Sequence, residues 1–167
     1  MYFSRRMIVV VALMSLSACG NDSGNGVSEE EAAEQLSVAT LGEQTILDVS
    51  DYLALEQFKV ANQKKGERQA LICKACHSLN AGGPNMIGPA LFGFFGKEAG
   101  AQAEFAYSPA MQATVFVWTP RALDAWLAQP GRFLPGNRMT FGGVANQQDR
   151  DDLIAYLLVK TTVEESE

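Results

Sequence analysis

The sequence is poor in histidine, cysteine and charge. Of its 167 residues one is His, three are Cys and 19 % are Asp, Glu, Lys or Arg. A single histidine excludes any site that needs two imidazole ligands. The net charge is −6 without a basic stripe, so we expect no nucleic-acid partner. Alternation of apolar and polar residues is missing as well, which argues against β-strands. Hydrophobic residues still make up 47 % of the chain, enough to build a core.

The few charges are segregated along the chain. Residues 20–56 contain nine acidic and no basic side chains, whereas residues 57–160 contain eleven basic and seven acidic ones. Composition therefore divides the chain into a flexible acidic tether over 19–55, a weakly basic folded domain over 56–163 and an acidic tail over 164–167.

The start of the chain carries export signals. Two arginines precede an apolar run at residues 7–16, about half the length that a membrane-spanning helix needs. The following "LSAC" resembles a bacterial lipobox, in which cleavage leaves Cys19 as a diacylated N-terminus. We expect a lipoprotein signal peptide over 1–18 and a lipid-anchored protein on the periplasmic side of a bacterial membrane, inner or outer. The alternative is an ordinary secretory signal with a chance cysteine.

Four capping residues mark helix starts within the predicted domain. They are Asn62, Ser108, Thr119 and Asn146. The predicted buried faces are Val60, Ala70 and Leu71 for the first helix; Leu123, Trp126 and Leu127 for the third; and Leu153, Ile154, Leu157 and Leu158 for the last. We also expect Asp149, Asp151 and Asp152 to favour the positive end of the last helix.

Two segments rich in Gly and Pro separate these helices, at 80–100 and 129–144. Short helices are marginal alone, and long apolar loops are unusual in a compact domain. An all-α fold of short helices and long loops packed around a large apolar prosthetic group reconciles both observations.

The motif "CKACH" places Cys73, Cys76 and His77 together, the pattern of covalent haem attachment. Two thiols at this spacing reach two vinyl groups of one porphyrin, and the adjacent imidazole reaches the iron. Three alternatives compete. A thioredoxin-type pair needs a strand–helix context, a zinc site needs a fourth ligand, and a disulfide leaves the histidine without a role.

A haem iron would need a second axial ligand, and no second histidine exists. The candidates beyond the leader are Met86, Met111 and Met139. Met86 follows His77 too closely to round a porphyrin edge easily, and Met111 lies in a predicted helix. Met139 follows a Pro-Gly turn that can present its thioether, so the residues favour it while leaving the others open.

The sequence from Gly66 to Thr161 resembles class I cytochrome c of the mitochondrial and alpha-proteobacterial type. The resemblance rests on CKACH, "IGPALFGFFGKEAG", "FAYSPAM", Trp118, "PGNRMTF" and "DLIAYL" in that order. It implies one covalent haem c, held by thioethers from Cys73 and Cys76, with axial ligands His77 and Met139. It further implies that Pro89 accepts a hydrogen bond from His77.

The resemblance implies further roles in the pocket and the fold. Tyr107 and Trp118 would bind a haem propionate, and Phe141 would close the pocket. Gly66 and Tyr156 would lie at the crossing of the first and last helices.

The sequence departs from the family pattern at several positions. Trp126 stands where the family often has Tyr near the Met sulfur, which keeps a hydrogen-bond donor in the haem pocket. Lys97, Met111 and Ala70 also replace common residues. The basic ring around the haem edge is thin, with only these candidates: Lys64, Lys65, Lys74, Arg121, Arg132 and Arg138.

The resemblance implies a monomeric electron carrier, not an enzyme. It would act between a quinol:cytochrome c reductase and a terminal oxidase of a respiratory or photosynthetic chain. One alternative is a haem-bearing subunit of a dehydrogenase or oxidase complex. Another is a haem peroxidase or gas sensor, which would need an open sixth coordination position.

Overall fold

A computed structural model describes residues 36–162, and the predicted signal peptide, Cys19 and the acidic tail lie outside this range. The described chain contains no strand, only an isolated antiparallel bridge between Glu98 and Val117. The helices are α1 (Val49–Leu53), α2 (Glu56–Lys59), α3 (Gln63–Lys74), α4 (Pro109–Gln112), α5 (Pro120–Ala128), α6 (Pro130–Phe133) and α7 (Gln147–Thr161).

The predicted caps begin the predicted helices. The Asn62 side chain accepts from the Lys65 N–H at the start of α3, and Thr119 does the same for Ala122 in α5. Ser108 caps α4, and Asn146 caps α7. These side chains satisfy backbone N–H groups that have no partner within the helix, so local chemistry fixes where each helix begins.

Helix α3 crosses α7 at Gly66, which has no side chain to hold the helices apart. A Cβ built on Gly66 would lie 2.7 Å from the Asp152 carbonyl carbon and 2.8 Å from Tyr156 Cβ. The neighbouring Ala70 is fully buried at the same interface. The crossing implied by the resemblance is therefore present, and it requires glycine because backbone meets backbone there.

The predicted buried face of α3 is partly wrong. Leu71 is 61 % exposed and Val60, which lies before the helix, is 69 % exposed. The small residues Gly66 and Ala70 occupy the contact with α7, so a neighbouring large side chain turns away from it. The predicted buried residues of α5 and α7 are confirmed as buried.

The predicted tether boundary at residue 55 is also corrected. Leu41 is 1 % exposed and Tyr52 is buried with it in the main core. The Tyr52 hydroxyl donates to the Thr45 carbonyl and accepts from the Leu47 N–H, at 2.9 and 3.0 Å. Apolar side chains within this acidic segment therefore bring residues 36–55 onto the folded body.

Asp152 links the starts of α3 and α7 instead of serving the α7 terminus alone. Its carboxylate, 1 % exposed as a residue, accepts from the Asn62 N–H at 2.7 Å and from Gln148 at 3.0 Å. Lys65 pairs with both Asp149 and Asp152. This pairing removes Lys65 from the set of free basic residues expected at the haem edge.

Within residues 36–162 no helix has the length and apolar character that crossing a bilayer requires.

Candidate functional site

The segment that follows α3 carries the two thiols and the imidazole. Cys73 lies in the last turn of α3, and the chain leaves the helix at Lys74 before reaching Cys76 and His77. The Cys76 and His77 N–H groups both donate to the Cys73 carbonyl, which folds the motif into one compact turn. No disulfide joins Cys73 and Cys76, and both are partly buried. The alternatives of a disulfide and a strand-borne redox pair find no counterpart in the described chain.

The His77 ring is fixed by its neighbours. Its Nδ1 lies 2.7 Å from the Pro89 carbonyl oxygen, which can only accept. The proton is therefore on Nδ1, and Nε2 keeps a free lone pair suited to a metal. Burial lowers the pKa of His77 below its ordinary value, with the Pro89 hydrogen bond opposing that shift.

Gly88 forms the cradle for this ring. A Cβ at Gly88 would lie 2.6 Å from His77 Nδ1 and 2.7 Å from Nε2, so any larger residue would displace the imidazole. Asn85 supports the same turn, accepting from the Ala90 N–H and donating to the Ala103 carbonyl, both at 2.9 Å. The sequence interpretation missed both residues, because Gly and Asn in a loop rich in Pro indicate only a turn.

Met139 is held by a hydrogen bond from a residue of α5. The Trp126 indole N–H donates to Met139 Sδ at 3.2 Å. Trp126 belongs to a closed set of four edge-to-face aromatic rings, with centroid separations of 4.8 to 6.0 Å. The rings are Trp118, Phe116, Phe133 and Trp126. Because Trp126 packs edge-to-face against two of these rings and is buried, its indole N–H is held in place as a donor to the sulfur.

One cavity of about 880 Å³ brings these groups together. Its wall contains every pocket residue predicted from the sequence: Cys73, Cys76, His77, Pro89, Tyr107, Trp118, Trp126, Met139 and Phe141. Met86 and Met111 also reach it, so all three candidate methionines line the same space. Met139 differs from the others in the hydrogen bond to its sulfur.

Polar groups are sparse in this cavity. Tyr107 is half-buried, and burial raises the pKa of its phenol while a backbone contact with Gln102 opposes the shift. Lys97 and Arg138 lie at the wall, as do Glu98 and Glu104, so the charged lining is balanced. A volume of this size with few polar groups is typical of a cofactor site.

An iron porphyrin fits this donor set. The wall is mainly apolar, two thiols stand beside an imidazole with a free Nε2, and a thioether is held by a fixed donor. Among residues 36–162 no three His, Cys, Asp or Glu side chains gather as metal ligands, so the zinc alternative has no support.

Comparisons with known proteins agree with this site. No protein-family model matches the chain. The cytochrome c homolog of Rickettsia felis is 34 % identical over 134 residues, covering 80 % of this chain and 73 % of that protein. Cytochrome c2 of Agrobacterium tumefaciens is 39 % identical over 97 residues, covering 56 % of this chain and 87 % of that protein.

A solved structure shows the same fold. Cytochrome cH from Methylobacterium extorquens superposes with a TM-score of 0.56 at 36 % identity, over 60 % of this chain and all of that one. The chain therefore belongs to the class I cytochrome c family: it is an electron carrier, not an enzyme, and its cofactor is one covalently attached haem c.

Proposed function

We propose that this cytochrome is tethered to a bacterial membrane by lipid on Cys19 and passes single electrons from a quinol:cytochrome c reductase to a terminal oxidase. In its haem site, Cys73 and Cys76 form the thioethers, and His77 and Met139 are the axial ligands. The observation that carries the site assignment is the convergence of these four side chains on one cavity.

The bound haem supplies a reversible one-electron change between Fe(II) and Fe(III). The residues around the haem would hold the two iron ligands in place during that change. Pro89 holds the His77 Nδ1 proton, which leaves the Nε2 lone pair free to bind the iron. Trp126 holds the Met139 sulfur, and a soft thioether raises the reduction potential relative to nitrogen ligands. With His77 and Met139 both bound to the iron, no coordination position would be open to a substrate, which argues against a peroxidase or gas sensor.

The remaining predicted pocket residues line the same cavity. We assign Tyr107 and Trp118 to a haem propionate, since a phenol and an indole each offer a donor in a half-buried setting. Phe141, two residues after Met139, excludes water from the sulfur side. A pocket that excludes water and holds its ligands in place lowers the reorganisation energy of each electron transfer.

The proposed anchor rests on the lipobox resemblance at Cys19. Two or more acyl chains bind a membrane firmly, whereas one is marginal. Residues 19–35 would then act as the tether between the anchor and the described part of the chain. Such a tether raises the concentration of the carrier near membrane complexes, which compensates for weak electrostatic steering. The location is the periplasmic side of the membrane.

The residues at the cavity opening support weak electrostatic steering of redox partners. Ile72, Met86 and Ile87 line it and are exposed, Ile87 at 79 %. The positive and negative residues of the cavity lining are equal in number, and Lys65 forms ion pairs with two aspartates. Docking should therefore depend less on salt than in highly basic relatives.

Variants at the three methionines test the ligand assignment. Met139→Leu should remove the weak far-red sulfur-to-iron band of the oxidised protein and allow carbon monoxide to bind the reduced protein. Met86→Leu and Met111→Leu are the matched controls, since Leu conserves volume, and both should keep the band. A band that survives in Met139→Leu, or a wild type that already binds carbon monoxide readily, contradicts the assignment.

Membrane experiments test the partners and the anchor. De-energised membranes of the source cell should reduce and then reoxidise the added protein, with inhibitors of the reductase and the oxidase blocking one step each. Mass spectrometry of the matured chain should show the haem mass, and acyl chains on Cys19. A stable stoichiometric complex from mild detergent would favour the alternative of a fixed subunit.

A further inference from the structure

The proposed ligand Met139 lies outside any helix. The segment between α6 and α7, residues 134–146, contains a turn at Pro135-Gly136 and then runs irregularly. A helix fixes its side chains through its own backbone ladder, and this segment has none. Contacts made by other side chains must therefore set the position of Met139.

Asn137 makes these contacts with its whole amide group. Its Nδ2 donates to the carbonyls of Pro130 and Leu134, at 2.9 and 2.8 Å. Its Oδ1 accepts from the Met139 N–H at 2.9 Å. A primary amide has two N–H donors and one carbonyl acceptor, so this set of partners uses both donors and the acceptor.

These three hydrogen bonds connect two parts of the chain. Pro130 begins α6, and Leu134 follows its last residue, so the donors attach Asn137 to a short helix whose Phe133 is buried in the aromatic set. The acceptor then holds the backbone of Met139 two residues further on. The hydrogen bonds of Asn137 therefore tie the backbone of Met139 to α6.

We propose that Asn137 is a positioning residue for Met139, holding its backbone while Trp126 holds its sulfur. This inference rests on the proposed ligation by Met139. The two residues act at opposite ends of one flexible side chain. Met139 has three side-chain torsions, and fixing both of its ends restricts them in a way that neither contact does alone.

The chemistry of the amide makes the inference specific. Aspartate at 137 would keep the acceptor for the Met139 N–H but would face two carbonyl oxygens with oxygens of its own. Alanine would remove all three hydrogen bonds, and the Pro130 and Leu134 carbonyls would keep only their backbone donors. Both substitutions should therefore loosen Met139 without altering its thioether.

The experiment uses the haem-loaded full chain and the variants Asn137→Ala and Asn137→Asp. The far-red band of the oxidised protein should weaken. The carbon monoxide concentration that half-saturates the reduced protein should fall by about tenfold, the factor equivalent to ~1.4 kcal/mol. The reduction potential should fall as well, because a loosened thioether favours the reduced state less.

Asn146→Ala is the matched control. It also removes an Asn hydrogen bond, the cap that Asn146 gives the Asp149 N–H of α7, and it should lower the unfolding temperature. It should leave the far-red band, the carbon monoxide affinity and the potential unchanged. Loss of stability alone therefore cannot imitate a positioning effect.

The outcomes separate the inference from the proposed ligation. A wild type without the far-red band refutes ligation by Met139, and the inference with it. The inference alone is refuted by a different result, in which the wild type shows the band. The Asn137 variants then unfold at a lower temperature but keep the wild-type band, carbon monoxide affinity and reduction potential. If Asn137→Ala does not fold, Asn137→Asp and Asn137→Ser, read below their unfolding temperatures, give the same decision.

Discussion

The crossing of α3 and α7 provides the sharpest test of the fold, through Gly66→Ala. The added Cβ would overlap the Asp152 carbonyl oxygen, and it would approach the Asp152 carbonyl carbon to 2.7 Å and Tyr156 Cβ to 2.8 Å. Carbon atoms pack best at about 3.5–4.0 Å, so the two helices must separate by roughly 1 Å. Neither neighbour is the end of a flexible side chain, so the strain cannot be relieved by a rotamer change.

The magnitude follows from two opposing effects. Overpacking costs typically about 1–3 kcal/mol and more where backbone must move, so we take about 4 kcal/mol. Replacing Gly by Ala within a helix returns about 1 kcal/mol through backbone entropy. The net loss of about 3 kcal/mol corresponds to an unfolding temperature roughly 12 °C lower for a domain of this size.

Thermal unfolding of the haem-loaded protein, followed by far-UV circular dichroism, measures this effect. Gly131→Ala is the matched control, because Gly131 lies in α6 and a Cβ there would meet nothing within 4 Å. It should unfold at the wild-type temperature or up to about 4 °C above it, because the entropy gain of about 1 kcal/mol meets no clash there. If Gly66→Ala also unfolds no lower than the wild type, the reasoning from close backbone contact at the crossing is refuted.

Three further predictions concern the site and its support. Gly88→Ala should displace the His77 ring and lower the haem content per polypeptide, measured by absorbance after mass quantification; full incorporation would contradict the cradle. Trp126→Phe should lower the reduction potential in voltammetry, because the Met139 sulfur loses its donor, and an unchanged potential would dismiss that hydrogen bond. Burial would raise the pKa of Asp152, but the hydrogen bonds and Lys pairing around it lower it below the unfolded value near 3.9. This stability is therefore present above about pH 4 and lost as the pH falls through the folded pKa. Asp152→Asn should reduce the loss of unfolding free energy that accompanies acidification below about pH 4. An unchanged pH dependence of that free energy would contradict a stabilising role for the Asp152 carboxylate.

Much of the site could be predicted from the sequence because its chemistry is local. The motif with Cys73, Cys76 and His77 places three reactive groups within five residues, and the Cys76 and His77 N–H groups both bond the Cys73 carbonyl. The starts of α3, α4, α5 and α7 were predictable for the same reason, since a cap such as Asn62 or Asn146 bonds only three residues away. Helices α1, α2 and α6 have no such side-chain cap and were not predicted; α6 lies within the predicted loop 129–144.

Long-range contacts were beyond that reasoning. The acidic segment before residue 56 looked like a tether by composition, yet Leu41 and Tyr52 are buried against the domain. Lys65 looked like a free surface cation and instead pairs with aspartates more than 80 residues later. Charge and composition describe the average of a segment, whereas burial depends on single apolar side chains and their partners.

The sequence by itself determined the class of cofactor, the starts of four of the seven α-helices described and the residues that can serve as ligands, because motif spacing and caps act over a few bonds. Only the tertiary structure decided which side chains hold those ligands. Gly88 cradles His77, and Asn85 ties the same turn to the Ala103 carbonyl, only once separate loops have been brought together. An Asn or Gly in a loop indicates a turn whether or not a ligand lies beside it, so these roles arise from packing and not from pattern.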